Sequence, residues 1–202
     1  SLLTGKYSAR HGITSATGHQ PPQASGFKFL PDTAPTNAPL RVPTSKNYLE
    51  PSEYTLAEAL HDAGYRTAHI GKWHLGLTQP HWPEQQGFDV AFHCHPDPGP
   101  PGNYFSPYGV VADGKPGGKT RVGTITDGPA GEYIVDRLAD EAVKFIAANK
   151  DHPFFLNLWF HNPHTPLQGK PKLVEKYRAR IKPGLKHQNP DYAAMIETLD
   201  DN

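Results

Sequence analysis

Lys72 and His74 flank Trp73 in the stretch Gly71-Lys72-Trp73-His74-Leu75-Gly76. In extended backbone, residues two apart project to the same side, so this pair would present a fixed positive charge and an imidazole together. Gly71 and Gly76 permit the tight turns that bring both groups close to a ligand. A tetrahedral oxyanion suits the combination: the ammonium offsets its charge, and an imidazole near neutrality gives or takes a proton. Taken by itself, the pair also fits a surface loop with an incidental Lys and His.

His161 and His164 follow a second apolar run, in a loop stiffened by Pro163 and Pro166. The prolines limit how far His164 can wander, which suits a group that must meet a substrate. Such a histidine can protonate a departing alcohol oxygen. Capping of strand-end carbonyls is the other role open to either ring. Further candidates are weaker. Three adjacent ligands such as His93-Cys94-His95 cannot converge on zinc without bending, and no distant partner is evident, so a loop with substrate contact is expected there. Asp200 and Asp201 diverge by about 100° on a helix and read as a solvated face. Gly118-Lys119-Thr120 would close a phosphate loop, but Asp113 stands where its first glycine must be. Asp113-Gly114 and Gly117-Gly118 read as hairpin turns instead.

The elements that would position these groups are a repeated helix, strand and polar loop. Thr55 and Glu58 form a capping box, and Leu56, Ala59, Leu60 and Ala63 keep the spacing of one buried helical face. The helix spans Tyr54 to Gly64, with Gly64 as its left-handed cap, and a strand over Tyr65 to Ile70 runs into Lys72. A second helix is expected over Glu132 to Ala148, with Val135, Leu138, Ala139, Ala142 and Ile146 inward. The run Phe154 to Phe160 reads as a strand covered on both faces. A third helix starts near Asp191, with Tyr192, Met195, Ile196 and Leu199 apolar. Residues 15–53 and 80–131 read as long shaped loops. The pattern is α/β, with polar loops leaving the carboxyl ends of strands, where such folds bind ligands.

Composition narrows the classes. Lys plus Arg and Asp plus Glu both number 20, a balance that gives no basic stripe for nucleic acid. No apolar run reaches the roughly 18 residues a membrane span needs. Cys94 is the single cysteine, so no disulfide forms within the chain. There are no internal repeats and no linker, and residues 1–202 read as one domain. The start at Ser1, without an initiator or a leader, leads us to expect a piece of a longer protein.

The block Gly64-Tyr65-Arg66-Thr67-Ala68-His69-Ile70-Gly71-Lys72-Trp73-His74-Leu75-Gly76 resembles the second signature of the sulfatase family, G-Y-x-T-x-x-x-G-K-W-H-L-G. Ser1-Leu2-Leu3-Thr4-Gly5 resembles the tail of the first signature, and Phe154 through Pro163-His164-Thr165-Pro166 is similar to the family's strand ending in P-H-x-P. The resemblance implies an alkaline-phosphatase-like α/β fold, a mixed sheet flanked by helices and incomplete at both ends here. Residues 1–202 would then be part of the N-terminal catalytic domain. It implies sulfate monoester hydrolysis by a formylglycine nucleophile upstream of Ser1, with calcium held by residues outside this chain. By the same resemblance, Lys72 contacts nucleophile and sulfate, His74 hydrogen-bonds the nucleophile, and His164 assists the leaving group on the sulfate side. His161 is a further substrate-contact candidate. The partner would be a sulfated small molecule or glycan, and relatives are exported to periplasm, lysosome or medium. Two alternatives stay open: a phosphatase or phosphodiesterase of the same superfamily, and a non-catalytic homologue that binds sulfated glycans.

Overall fold

A computed structural model describes residues 1–15, 37, 39–40, 43–76, 78–93, 103–108 and 125–202. In chain order the elements are α1 (Ser8–His11), α2 (Leu56–Asp62), β1 (Arg66–Gly71), β2 (Val90–His93), α3 (Ile134–Asn149), β3 (Phe154–Trp159), α4 (Pro171–Arg178) and α5 (Pro190–Asp201), with two single 3₁₀ turns at Gln79–His81 and Pro83–Gln85. The three strands form one sheet in the order β2-β1-β3. Arg66 N–H donates to Pro153 O at 3.0 Å and Lys72 N–H to Trp159 O at 2.7 Å. Both pairs advance in the same direction, so β1 and β3 run parallel and both end at the site residues. No helix among the described residues is long and apolar enough to cross a membrane.

The chain divides into two compact units. One comprises residues 1–69, 73–91 and 149–157, the other 70–72, 92–148 and 158–202. In the first, the capping box forms in both halves: Glu58 N–H donates to Thr55 Oγ1 at 3.1 Å and Thr55 N–H to Glu58 Oε2 at 2.7 Å. Gly64 takes the left-handed conformation expected of it, φ 85°. The inward face of α2 differs from the apolar spacing, because Ala57 is buried while Leu56 and Ala63 are exposed. The physical reason is how this short helix is docked. Its amino end seats on the 86–87 backbone, where Thr55 Oγ1 donates to Gln86 O at 2.9 Å and a Cβ on Gly87 would lie 2.4 Å from Glu58 N. Trp73, Phe88 and the buried pair Asn157 Nδ2 and His69 Nδ1, 2.9 Å apart, fill the core beneath. Within residues 43–53, expected as surface loop, Leu49 is buried and its N–H donates to Leu75 O at 2.8 Å.

The second unit is built on α3, whose buried residues are Ile134, Val135, Leu138, Ala142 and Phe145. Phe145 takes the place expected for Ile146, which is 41% exposed; with Ile134 inward as well, residues 134, 138, 142 and 145 fall within about 80° of one another around the helix. In α5 the inward residues are Ala194, Met195 and Thr198, with Tyr192 and Ile196 exposed. Thr198 is buried at no polar cost because its hydroxyl donates to Ala194 O at 2.9 Å. Along β3 only Asn157 is buried, so the strand is half covered rather than enclosed on both faces. It lies at the edge of the sheet formed by the described residues. β2 and α4 were not expected from the sequence. The turns expected at Asp113-Gly114 and Gly117-Gly118, and two of the residues His93-Cys94-His95, lie outside the described residues.

Candidate active site

The sequence Ile70-Gly71-Lys72 leaves β1 hard against the end of β3. A Cβ on Gly71 would stand 1.9 Å from Trp159 O, and its φ is 109°. Only glycine fits there, and the approach permits the Lys72 N–H bond to Trp159 O. Lys72 and His74 are both half-buried, whereas Trp73 between them is 1% exposed and donates its indole N–H to His81 O at 2.8 Å. Residue 73 thus faces the core of the first unit, as alternation in extended backbone requires.

From the end of β3 the chain turns at once, with His164 N–H donating to His161 O at 2.9 Å. Pro163 and Pro166 both follow cis peptide bonds. A set of buried side chains pins this turn within the second unit. Tyr104, fully buried, donates its hydroxyl to His164 O at 2.8 Å, and Asn162 Nδ2 donates to Met195 O at 3.0 Å. Gln168 ties the far end, accepting Tyr104 N–H at its Oε1 (2.7 Å) and the Tyr133 hydroxyl at its carbonyl (2.8 Å). Burial pushes the Tyr133 hydroxyl up to about 12, so it stays a donor throughout the physiological range. Sequence reasoning missed Tyr104, Asn162 and Gln168. They carry no periodic pattern, and Tyr104 lies some 60 residues from its acceptor.

His164 is exposed, and its Nδ1 lies 2.6 Å from Thr165 O. A carbonyl only accepts, so Nδ1 carries the hydrogen. Nε2 is therefore bare in the neutral ring and becomes a donor when the ring is charged. His161 is the opposite case. It is 2% exposed and neither ring nitrogen has a hydrogen-bond partner among the described residues. Burial first, then the charges of Lys72 and His164, push its pKa down to about 3. Both of those predicted site residues thus act electrostatically on one buried imidazole. The second unit therefore offers a charged amine, an exposed imidazole and a buried neutral imidazole at adjoining strand ends.

The depressed His161 has a consequence for stability. Its folded pKa lies below the unfolded value, so between about 6.5 and 3 the unfolded chain binds a proton that the folded chain refuses. Stability is retained above pH 6.5 and falls as the pH drops, by up to about 1.4 kcal/mol per pH unit from this group. Denaturant unfolding of the full-length protein at pH 7, 6 and 5 measures the slope. His161→Gln is expected to flatten it, and an unchanged slope would remove His161 as its source.

Among the described residues, no three of His, Cys, Asp or Glu converge as a metal would require, and Asp200 and Asp201 are exposed on α5. The residues at hand do not fit the calcium that the resemblance implies.

The sulfatase family model matches residues 1–202. The chain is 32% identical over 146 residues to an arylsulfatase of Klebsiella aerogenes, covering 72% of this chain and 31% of that one. It is 27% identical over 212 residues to human N-acetylgalactosamine-6-sulfatase, covering 100% of this chain and 36% of that one. The crystal structure of Ps i-CgsB superposes with a TM-score of 0.63 at 27% identity, over 99% of this chain and 40% of that chain. The chain thus spans about a third of the length of the curated relatives it matches. The α/β architecture of β1, β3 and their flanking helices is that of the alkaline-phosphatase-like sulfatases. With the family model matched over all 202 residues, this chain belongs to the sulfatase family.

Proposed function

We propose that the full-length protein hydrolyses sulfate monoesters, of the arylsulfatase or glycan sulfatase type, and that this chain is part of its N-terminal catalytic domain and contributes one wall of the sulfate pocket. The observation that carries the reading is the placement of Lys72 and His164 about the buried His161, at the carboxyl ends of parallel strands. Lys72 offsets charge on the sulfate oxygens, where a fixed ammonium in a partly desolvated site is worth more than in water. His164, once charged, holds its Nδ1 hydrogen on Thr165 O and gives its Nε2 proton to the departing alcohol oxygen as the S–O bond breaks. The ring returns neutral, with Nε2 bare. His161 is a neutral contact for the substrate side of this pocket. His74, by its place in the family signature, hydrogen-bonds the nucleophile. Export to periplasm, lysosome or medium goes with this reading.

Family membership implies formylglycine and a metal ion, but the described residues supply neither. This chain's share of the chemistry is accordingly anion binding and proton transfer. Matched aryl sulfate and aryl phosphate esters, assayed with the full-length protein, decide the reaction class. Sulfate is expected to be preferred in kcat/KM by about 10² or more, the order a misfitted charge distribution costs at such a site. Preference for phosphate would move the protein to the phosphatase branch, and turnover of neither ester would leave only binding.

A further inference from the structure

The chain is electrically neutral overall, yet residues 170–187 carry seven Lys or Arg and one acid, Glu175. The remaining residues are therefore net acidic. The cations are concentrated in one place by a definite local structure. α4 and α5 pack as a hairpin through Val174, Ala194 and Met195, all buried, and Gly169 at its base would set a Cβ only 2.6 Å from the Ala194 Cβ. The connection between the two helices, residues 179–189, is exposed at every position, as is Arg178 at the end of α4. It is nevertheless ordered by its own bonds. Leu185 N–H donates to Lys182 O at 3.3 Å across Pro183-Gly184, with Gly184 at φ 88°, the geometry of a type II turn. Gln188 Nε2 donates to Leu185 O at 2.9 Å, and Asn189 Oδ1 caps α5 by accepting Tyr192 N–H at 2.9 Å.

Not all seven cations are available. Lys170 pairs with Asp136 and Lys176 with Glu197, and Arg180 lies 5.6 Å over the Tyr177 ring. Lys172, Arg178, Lys182 and Lys186 are exposed and make no ion pair among the described residues. Four unneutralised charges on a short helix and the stiffened turn after it repel one another, an arrangement that a mobile counterion cloud screens poorly within about 8–10 Å. A ligand bearing several fixed negative charges relieves that repulsion and releases the counterions. The occupant must be polyanionic and extended, because the charges are spread along α4 and the exposed connection after it.

We propose that α4 and its connection to α5, through Lys172, Arg178, Lys182 and Lys186, bind the further sulfate groups of a sulfated polysaccharide whose reacting ester occupies the catalytic pocket. The inference rests on the sulfate-ester reading above and narrows it: the substrate class is a chain with many sulfates rather than an isolated aryl sulfate. Nucleic acid is the weaker occupant, since the connection holds no Phe, Tyr or Trp to serve as a stacking platform for successive bases, His187 being its one ring.

The test compares full-length wild type with the variant K172E/R178E/K182E/K186E in three measurements. Elution from immobilised heparin, a sulfated glycan, reads surface binding without any turnover, and the variant is expected to elute at less than half the salt concentration. KM for a sulfated polysaccharide is expected to rise by about tenfold, the lower end of electrostatic steering, while kcat for a small aryl sulfate is unchanged. Equal salt elution of the two proteins overturns the proposal, as does tighter retention of wild type on single-stranded DNA than on heparin at the same salt. If wild type turns over no sulfate ester but heparin retention still falls in the variant, the surface stands and it is the catalytic reading that fails. The Gln counterpart, K172Q/R178Q/K182Q/K186Q, is expected to fall between wild type and the Glu variant. That gradation separates a charge effect from misfolding.

Discussion

Lys72→Ala in the full-length protein lowers turnover of a sulfate ester by on the order of 10²–10³, the usual loss when one preorganised charge or donor is taken from a transition state. The fold persists, because the Lys72 contact that holds β1 against β3 is made by its backbone N–H and not by its side chain. The loss is expected mainly in kcat, since charge on the leaving oxygen and sulfuryl group grows towards the transition state. Lys72→Arg restores only part of it, because a planar fork cannot occupy the place of a compact ammonium. A secondary effect accompanies the change. Lys72 is one of the charges that depress His161, so its removal raises the folded pKa, and the acid loss of stability, which still sets in below about pH 6.5, becomes smaller and ends at a higher pH. Turnover in Lys72→Ala within threefold of wild type would end the assignment.

Gly71→Ala is the most damaging single methyl in the described structure. The added carbon would lie 1.9 Å from Trp159 O and 2.7 Å from its carbonyl carbon, at φ 109°. Backbone on both sides cannot swing aside as a side-chain tip would. Strain in that φ region alone costs on the order of 1–3 kcal/mol, and forcing β1 from β3 also breaks the Lys72 N–H bond. A loss of more than about 4 kcal/mol, or failure to accumulate soluble protein, is expected. Gly64→Ala provides the comparison. Its φ is 85° but nothing lies within 4 Å of a new Cβ, so only the left-handed strain of about 1–2 kcal/mol remains. Similar stabilities for the two variants in urea unfolding would refute the close approach at Gly71.

Local chemistry made part of this legible in advance. The capping box at Thr55 and Glu58, the left-handed Gly64 and the two parallel strands are each dictated by residues within one turn of one another. The expectation that Lys72 and His164 share a pocket came from the family signature rather than from spacing. What the sequence hid was non-local. The inward face of α2 depends on Gln86 and Gly87, some 30 residues on, and β2 lacks the length or alternation to stand out from its loop. α4 opens on Pro171 after a glycine and a lysine, without a side-chain cap, so the usual start signal is weak. His161 was an even choice between carbonyl cap and ligand. Its carbonyl, not its ring, turned out to hold the turn.

The bond from Lys72 N–H to Trp159 O joins residues far apart in sequence, and everything between them is a closed excursion pinned at its two ends. Changing the length of such an excursion costs little entropy, about 0.6 kcal/mol for each doubling. Length changes within that excursion that spare Tyr104, which holds His164 O, can accordingly be absorbed without displacing the Lys72 backbone at the pin.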